Sequence, residues 1–138
     1  MEMETVANTE FYDILVDKDN SILVYRWKET ILDLNEEEYK EGFLEALKYL
    51  EEYRPVHVIH DSRTQVYPIT PELQKWIMNK ITPRFKAVGV KKIAYVMPKD
   101  FLSKLALEQL VLKLISFKQG IKRMYFDDFD AAVEWMKK

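Results

Sequence analysis

FYDILVDKDNSILVYRW, residues 11–27, decides how this fold begins. Two runs rich in aliphatic and aromatic residues, 11–16 and 21–27, flank the polar, turn-forming residues 17–20. Two such runs joined by a short polar connection are typical of a β-hairpin. The sequence therefore predicts that the domain opens with an antiparallel pair of strands.

A helix follows the hairpin. Asn35 and Glu38 have the spacing of a capping box, and the three acids that begin at Glu36 suit the positive end of a helix dipole. We expect this helix to run to about Tyr53, because Pro55 prevents it from continuing. Its apolar positions at helical spacing are Tyr39, Phe43, Ala46, Leu47 and Leu50.

Strands and helices then alternate to the end of the chain. The predicted strands are 56–60, 92–97 and 121–126, and the predicted helices begin near Thr70, near Asp100 (ending near Gly120) and at Asp127 or Asp128. The helix that begins near Thr70 is expected to break or restart at Thr82-Pro83. The segment 61–69 is expected to be the longest loop inside the domain.

The order β-β-α-β-α-β-α-β-α predicts one α/β domain over residues 1–138. We expect a mixed five-stranded sheet with helices mainly on one face, and a flexible N-terminal extension at residues 1–9. A second subunit is one candidate to cover the other face.

Composition limits the functional classes. A chain of 138 residues without cysteine has no disulfide, no thiolate metal site and no cysteine nucleophile. Its acidic, polar start lacks the features of a signal peptide, and no apolar run approaches the roughly 20 residues that span a bilayer. We expect a soluble, cytoplasmic protein without a cofactor and without stable membrane insertion.

Charge is unevenly distributed along the chain. Residues 1–52 hold 15 acids and 5 bases, whereas residues 53–138 hold 8 acids and 16 bases. No aromatic-and-basic motif of nucleic-acid binding accompanies this asymmetry, so attraction within one domain or within a dimer is the favoured interpretation. One basic run is either a solvated face or a docking surface for an acidic partner, including the Glu-rich first helix of another copy. It comprises Lys75, Lys80, Arg84, Lys86, Lys91 and Lys92.

Short local matches accompany the order of elements. They are the helix start at residues 35–39, the strand 56–61, Thr70-Pro71-Glu72 and the strand entry 90–94. Over nearly the whole chain this arrangement resembles the STAS superfamily, in particular the divergent branch grouped with sporulation anti-sigma-factor antagonists. That branch shares its broad architecture with CRAL-TRIO lipid-binding domains.

The resemblance implies a non-enzymatic switch or ligand module. In the antagonists, a serine in an Asp-Ser-Ser-Gly-like sequence at the start of the helix after the third strand is phosphorylated. Here that helix begins Ile69-Thr70-Pro71-Glu72, without the serine and the glycine. Thr70 and Ser62 are the candidate phosphorylation sites, although Thr70 is also explained as a helix cap and Ser62 lies too early, at the strand end.

Two histidines and a neighbouring acid suggest metal binding or catalysis. His57 and His60 lie three apart on a strand, so their side chains are expected on opposite faces and cannot share one ion without a bend. Asp61, Ser62 and His60 have the residue types of a hydrolytic triad, but adjacent residues on an extended chain diverge. We expect no metal site and no catalytic residue here.

Five residues form a candidate pocket for a ligand or partner at the carboxyl ends of the strands. They are Trp27, Asp61, Arg63, Tyr67 and Trp76. If the strands end together, the aromatic side chains supply apolar walls and the charged ones orient a polar group. The alternative is that the tryptophans are ordinary core and that Arg63 pairs with Asp61.

The sequence favours a non-enzymatic binding or regulatory module that acts through protein–protein interaction and that self-associates, most simply as a homodimer. The alternative is a carrier or sensor of a small apolar or amphipathic, lipid-like ligand, with Trp27, Tyr67 and Trp76 as walls. A more remote alternative is a hydrolase that uses Asp61 and His60.

Overall fold

A six-stranded mixed sheet organises the computed structural model, which describes residues 3–64, 67–116 and 120–138. The strands are β1 (Glu4–Asn8), β2 (Tyr12–Asp17), β3 (Ile22–Trp27), β4 (His57–Asp61), β5 (Lys92–Val96) and β6 (Lys122–Phe126). Strands β1, β2 and β3 pair antiparallel, and β3 to β6 pair parallel. The α/β class and the opening hairpin, now β2 and β3, are thereby confirmed.

The helices are α1 (Glu36–Tyr53), α2 (Pro71–Trp76), α3 (Thr82–Val88), α4 (Phe101–Ser116) and α5 (Phe129–Met136). A short 3₁₀ helix, Glu29–Asp33, precedes α1. The capping box of α1 is present in both directions, with Asn35 Oδ1 accepting from the Glu38 amide at 2.8 Å and Glu38 Oε1 accepting from the Asn35 amide at 2.9 Å. All five apolar positions predicted for α1 are buried.

The expected interruption at Thr82-Pro83 takes the form of a π-helical turn. Residues Ile77–Ile81 form this turn between α2 and α3. Pro83 has no amide hydrogen to continue an α-helical ladder, and widening the preceding turn accommodates it. The Ile77 carbonyl accepts from the Thr82 backbone amide, and the hydroxyl of Thr82 donates to the same carbonyl at 3.2 Å.

The strand order in the sheet is the strand order in the chain. From β3 onward every crossover steps to the next strand in the same direction. Because such crossovers share one hand, their helices all lie on one face, here called the crossover face. This face carries α1, the α2–α3 segment and α4, and its core contains Leu23, Tyr25, Val58, Ile93 and Tyr95.

The other sheet face is covered within the same chain. Helix α5 folds back after β6, and its Ala132, Val133 and Met136 pack on Ile22, Val24, Ile59, Ala94 and Val96. The expected placement of the helices mainly on one face is therefore matched only in part, because α5 lies on the other face. That face is not left open for a second subunit. Asp128 begins α5 by accepting a hydrogen bond from the Asp130 amide at 3.2 Å.

The prediction of five strands was wrong, because residues 4–8 add a sixth. These residues, assigned from sequence to a flexible extension, form β1 and pair with β2 through a register irregularity between Thr5 and Ala7. The polar composition of this segment hid the strand: only Val6 and Ala7 pack against the core. An edge strand needs few apolar residues because one side of it faces solvent.

Replacing Met136 by Ala tests the cover that α5 gives to the second face. Met136 is buried, so we expect the free energy of unfolding to fall by about 2–4 kcal/mol in urea denaturation. Glu134→Ala, at an exposed position of the same helix, is the matched control and is expected to change stability by less than about 0.5 kcal/mol. Equal, small effects of both substitutions would contradict this packing.

Candidate ligand-binding site

A small, mostly apolar cavity lies between the crossover face and its helices. Its volume is about 80 Å³, and it sits where the parallel strands end. The sheet contributes Trp27, His60, Ser62 and Tyr95. The surrounding segments contribute Ile31, Tyr39, Phe43, Tyr67, Ile69, Ile77, Ile81, Leu107, Leu110 and Leu114. Open α/β sheets bind their ligands at the carboxyl ends of the strands, which makes this cavity the candidate site.

Aromatic rings form the most ordered wall of the cavity. Trp27 packs against Phe43, with ring centroids 5.4 Å apart. Tyr39 and Tyr67 stack at 4.0 Å with an angle of 8° between their planes, and the Tyr67 hydroxyl donates to the Leu34 carbonyl at 2.9 Å. These contacts hold the loop residue Tyr67 against α1. The wall is thus fixed by packing and by one hydrogen bond.

His60 and Tyr95, which line the cavity on the sheet side, belong to a stack of three rings on adjacent strands. Tyr25, His60 and Tyr95 are direct neighbours in the register of β3, β4 and β5. Their centroids are 5.4 and 5.3 Å apart and the rings are nearly parallel. The Tyr25 hydroxyl donates to the Ala46 carbonyl at 3.3 Å, and the Tyr95 hydroxyl accepts from Arg123 Nη1 at 2.8 Å. The outer rings are therefore anchored, with His60 between them.

His60 is neutral over the physiological pH range. Burial, and to a smaller extent the positive charge of Arg123, lowers the pKa of His60 to about 3. No described residue hydrogen-bonds to its ring. A neutral imidazole offers one donor and one acceptor, so His60 can bind a polar group of a ligand inside an otherwise apolar cavity. Ser62, buried nearby, adds a hydroxyl.

The helical wall combines the π turn with α4. Ile77 and Ile81, at the two ends of the π turn, both line the cavity, as do Leu107, Leu110 and Leu114 of α4. A π turn rotates the following residues relative to an α-helix and often occurs at functional sites. The expected restart at Thr82-Pro83 is therefore part of how the cavity is shaped.

The five candidate pocket residues do not converge. Trp27 and Tyr67 line the cavity. Trp76 lies behind its wall, edge-on to Phe43 at 6.1 Å and under the ammonium group of Lys40 at 5.6 Å. Asp61 and Arg63 lie on the opposite face of the sheet, because side chains alternate along β4 and Asp61 follows His60.

Asp61 is the centre of a separate ion cluster. Its buried carboxylate accepts from Arg26 Nε at 2.7 Å, and from Arg63 Nη2 at 2.7 Å and Nε at 2.9 Å. Burial alone would raise the pKa of Asp61, but the hydrogen bonds from Arg63 and Arg26 outweigh it and lower the pKa. Both guanidinium groups stack on the ring of Phe129, at 5.2 and 5.0 Å from its centroid. This cluster ties β3, β4 and the start of α5 together.

The arrangement also separates the residues considered for metal binding and hydrolysis. His57 shares a row with Ile22 and Lys92 on the second face, whereas His60 lies on the crossover face. Asp61 and His60 are likewise on opposite faces. Within residues 3–64, 67–116 and 120–138, no group of three or more His, Asp or Glu side chains could hold a metal ion.

The candidate phosphorylation sites differ in exposure. Thr70 is exposed and caps α2, with its hydroxyl accepting from the Leu73 amide at 3.1 Å. Ser62 is buried at the cavity. Two residues of the predicted 61–69 loop, Gln65 and Val66, lie outside the described residues.

Sequence reasoning missed most of the cavity wall. Tyr39 and Phe43 were recognised only as the buried face of a helix. A usable signal was the alternation along residues 58–62, which puts His60 and Ser62 on one face and Asp61 on the other. The pairing of Tyr25 with His60 could not be read without the register of the sheet.

The chain matched no model of a known protein family, no functionally characterised protein and no solved structure. In the described part of the chain, none of the helices combines the length and the apolar character needed to cross a bilayer.

The stability of the protein at acidic pH tests whether His60 is held neutral in the folded chain. The unfolded chain takes up a proton at this residue below pH about 6.5, whereas the folded chain does so only near pH 3, so acid favours unfolding. At pH 5 this linkage costs about 2 kcal/mol relative to pH 7.5. We expect His60→Phe to reduce the loss of unfolding free energy between pH 7.5 and pH 5 by about that amount.

Urea denaturation at both pH values measures this difference, and His57→Gln is the control. The pKa of His57 is also lowered, but this residue is only half-buried, so its replacement should have the smaller effect. An unchanged pH dependence in His60→Phe would show that His60 is not held neutral by burial.

Proposed function

We propose that this protein is a non-enzymatic binding module whose cavity accepts a small apolar or amphipathic ligand. The observation that carries the proposal is the partly open, aromatic-lined cavity at the carboxyl ends of the parallel strands, with His60 and Ser62 as its polar groups. An apolar cavity with a few polar groups is the usual form of a small-molecule site.

The size of the cavity limits the ligand. Sites for drug-sized ligands have volumes of roughly 300 Å³ or more, and a cavity of roughly 150 Å³ accepts benzene. A volume of about 80 Å³ therefore suits a short alkyl group, with a hydroxyl or carboxyl group directed at His60 or Ser62. A longer chain would have to extend through the open side of the cavity or displace α4. This favours a sensor of a small ligand over a carrier that encloses a long lipid.

The placement of polar groups supports binding over catalysis. His60 lies between two tyrosine rings, and the neighbouring carboxylate of Asp61 is held by two arginines on the other side of the sheet. A histidine that acts as a general base is normally oriented by a third group within hydrogen-bond reach. No described side chain takes that role here.

A second candidate function is a regulatory module that acts through protein–protein interaction, as the resemblance to the STAS superfamily implies. The supporting observation is a set of exposed apolar side chains on α4, including Phe101 at 73% exposure and Leu102 at 72%. Exposed apolar patches on otherwise polar surfaces mark interaction sites. The two functions are compatible, since α4 contacts the cavity with its buried face.

Tryptophan fluorescence tests the ligand proposal. A variant with Trp76→Phe and Trp135→Phe keeps Trp27, at the cavity wall, as its single tryptophan. We expect butanol or hexanoate to change the Trp27 emission saturably, because the ligand replaces empty space beside the indole. Hexadecanoate is expected to bind more weakly or not at all.

Cavity filling provides the matched comparison. Leu110→Phe extends a lining side chain into the cavity and is expected to weaken binding of butanol and hexanoate about tenfold or more. Leu44→Phe, at an exposed position of α1, should leave binding unchanged. Unchanged Trp27 emission with every probe, or equal binding by Leu110→Phe and wild type, would overturn the proposal.

A further inference from the structure

Helix α4 has a second apolar face that points away from the core. Leu107, Leu110, Val111 and Leu114 form its buried face. On the opposite side an apolar stripe runs along the helix with spacings of four and three residues. The stripe consists of Phe101, Leu105, Glu108, Leu112 and Ile115. This alternation of four and three is the spacing with which two helices pack along a seam.

Strand β6 lies beside α4 at the edge of the sheet. Within the described residues no strand pairs with its outer edge, and Met124 and Tyr125 are exposed there. Natural edge strands are usually protected by bulges or charges. The opposite edge, β1, has a register irregularity and begins with Glu4, whereas β6 pairs with β5 without irregularity. The exposed charge of β6, Lys122, stands at its first residue, so the rest of the β6 edge is suited to accept another strand.

The exposed apolar residues are concentrated at this end of the molecule. Of the nine large hydrophobic residues exposed in the described part of the chain, seven belong to α4 or β6. Side chains of this size that are about half exposed leave roughly 600 Å² of apolar surface in water. Six of the seven residues lie on α4 or on the sheet face that α4 covers, whereas Met124 points to the other face, as its strand partner Ala94 does. Taken together, the two sides of this edge approach the roughly 800 Å² per partner of a stable interface.

We propose that this surface binds a second copy of the chain. The β6 strands of two copies pair antiparallel across a two-fold axis near Met124, and the two α4 helices pack against each other. The charges of β6 fit this pairing: the strand begins with Lys122 and is followed by Asp127 and Asp128. Antiparallel pairing brings the basic end of each strand opposite the acidic end of the other, whereas parallel pairing would bring like charges together.

The distances between neighbouring strands and between packed helices fit the same arrangement. Adjacent strands lie about 4.8 Å apart, and each α4 is the crossover helix of the outermost strand pair, β5 and β6. Two such helices on a continued sheet are separated by about two strand spacings, or roughly 10 Å. Packed helices lie about 8–10 Å apart, so strand pairing and helix packing can form together.

An ion pair shows which residue of α4 lies at the same height as which residue after β6. Lys104 of α4 contacts Asp127 at 2.8 Å, which places these two residues at one level. Met124 lies three residues before Asp127, or roughly 10 Å along the strand, and that distance corresponds to about seven residues of helix. The two-fold axis therefore passes near residue 110 of α4. Leu105 then faces Ile115 of the second copy, and the two Glu108 side chains do not meet.

This inference does not depend on the ligand proposal, because the stripe and the β6 edge face away from the cavity. Native mass spectrometry and light scattering of the full chain test it at about 10–100 µM. We expect twice the chain mass of 16.5 kDa. Leu105→Lys should weaken the dimer about tenfold or more, because it places a charge against Ile115 of the second copy and enters a symmetric interface twice. Leu32→Lys, at an exposed leucine outside α4 and β6, should leave the dimer intact.

The cysteine-free chain allows a direct test of the axis. Met124→Cys would place two thiols opposite each other at Cα separations that a disulfide can bridge. We expect mild oxidation to give a covalent dimer that Leu32→Cys does not form, with circular dichroism confirming that every variant is folded. A wild-type monomer at 100 µM would overturn the proposal and assign the patch to a different partner. A dimer insensitive to Leu105→Lys, or cross-linking no faster than in the Leu32→Cys control, would overturn it as well.

Discussion

The strands lie in the sheet in the same order as in the chain, and the rest of this structure depends on this constraint. Each parallel crossover advances by one strand in the same direction, so α1, the α2–α3 segment and α4 must share one face. A side chain on that face packs against the crossover helices, whereas its neighbour in sequence lies on the other face, which α5 covers. Because side chains alternate between the two faces along a strand, His60 and Asp61 lie on opposite sides of the sheet. This alternation decides which polar groups can meet inside the protein.

The same constraint gives α4 its two roles. It is the last crossover helix, so it closes the cavity on one side and has no helix beyond it on the other. Leu110 and Leu114 line the cavity, while Leu105 and Leu112 lie in the exposed stripe. A ligand that displaces this helix would act against a second copy, which would hold the helix in place. Binding of a ligand and self-association are therefore expected to be coupled.

Local sequence patterns predicted those parts of the fold that depend on neighbours in the chain. The capping box at Asn35, the buried face of α1 and the interruption before Pro83 all follow from residues within a turn or two. The strand β1 was missed because its pairing with β2, rather than its own composition, makes it a strand. The cavity depends on the register between β3, β4 and β5, which no local pattern encodes. Trp27 and Tyr67 were recognised as candidate walls, but Asp61 and Arg63 were wrongly grouped with them because alternation along β4 was not applied.

A crystal structure under xenon pressure tests the central claim most directly, which is that an apolar, accessible cavity lies beneath α4. Xenon enters dry apolar cavities without requiring a hydrogen bond. The account predicts one xenon atom in contact with Trp27, Phe43 and Leu110, with the Tyr25–His60–Tyr95 stack intact below it. A structure in which neighbouring side chains fill this space, and no xenon binds there, would contradict it.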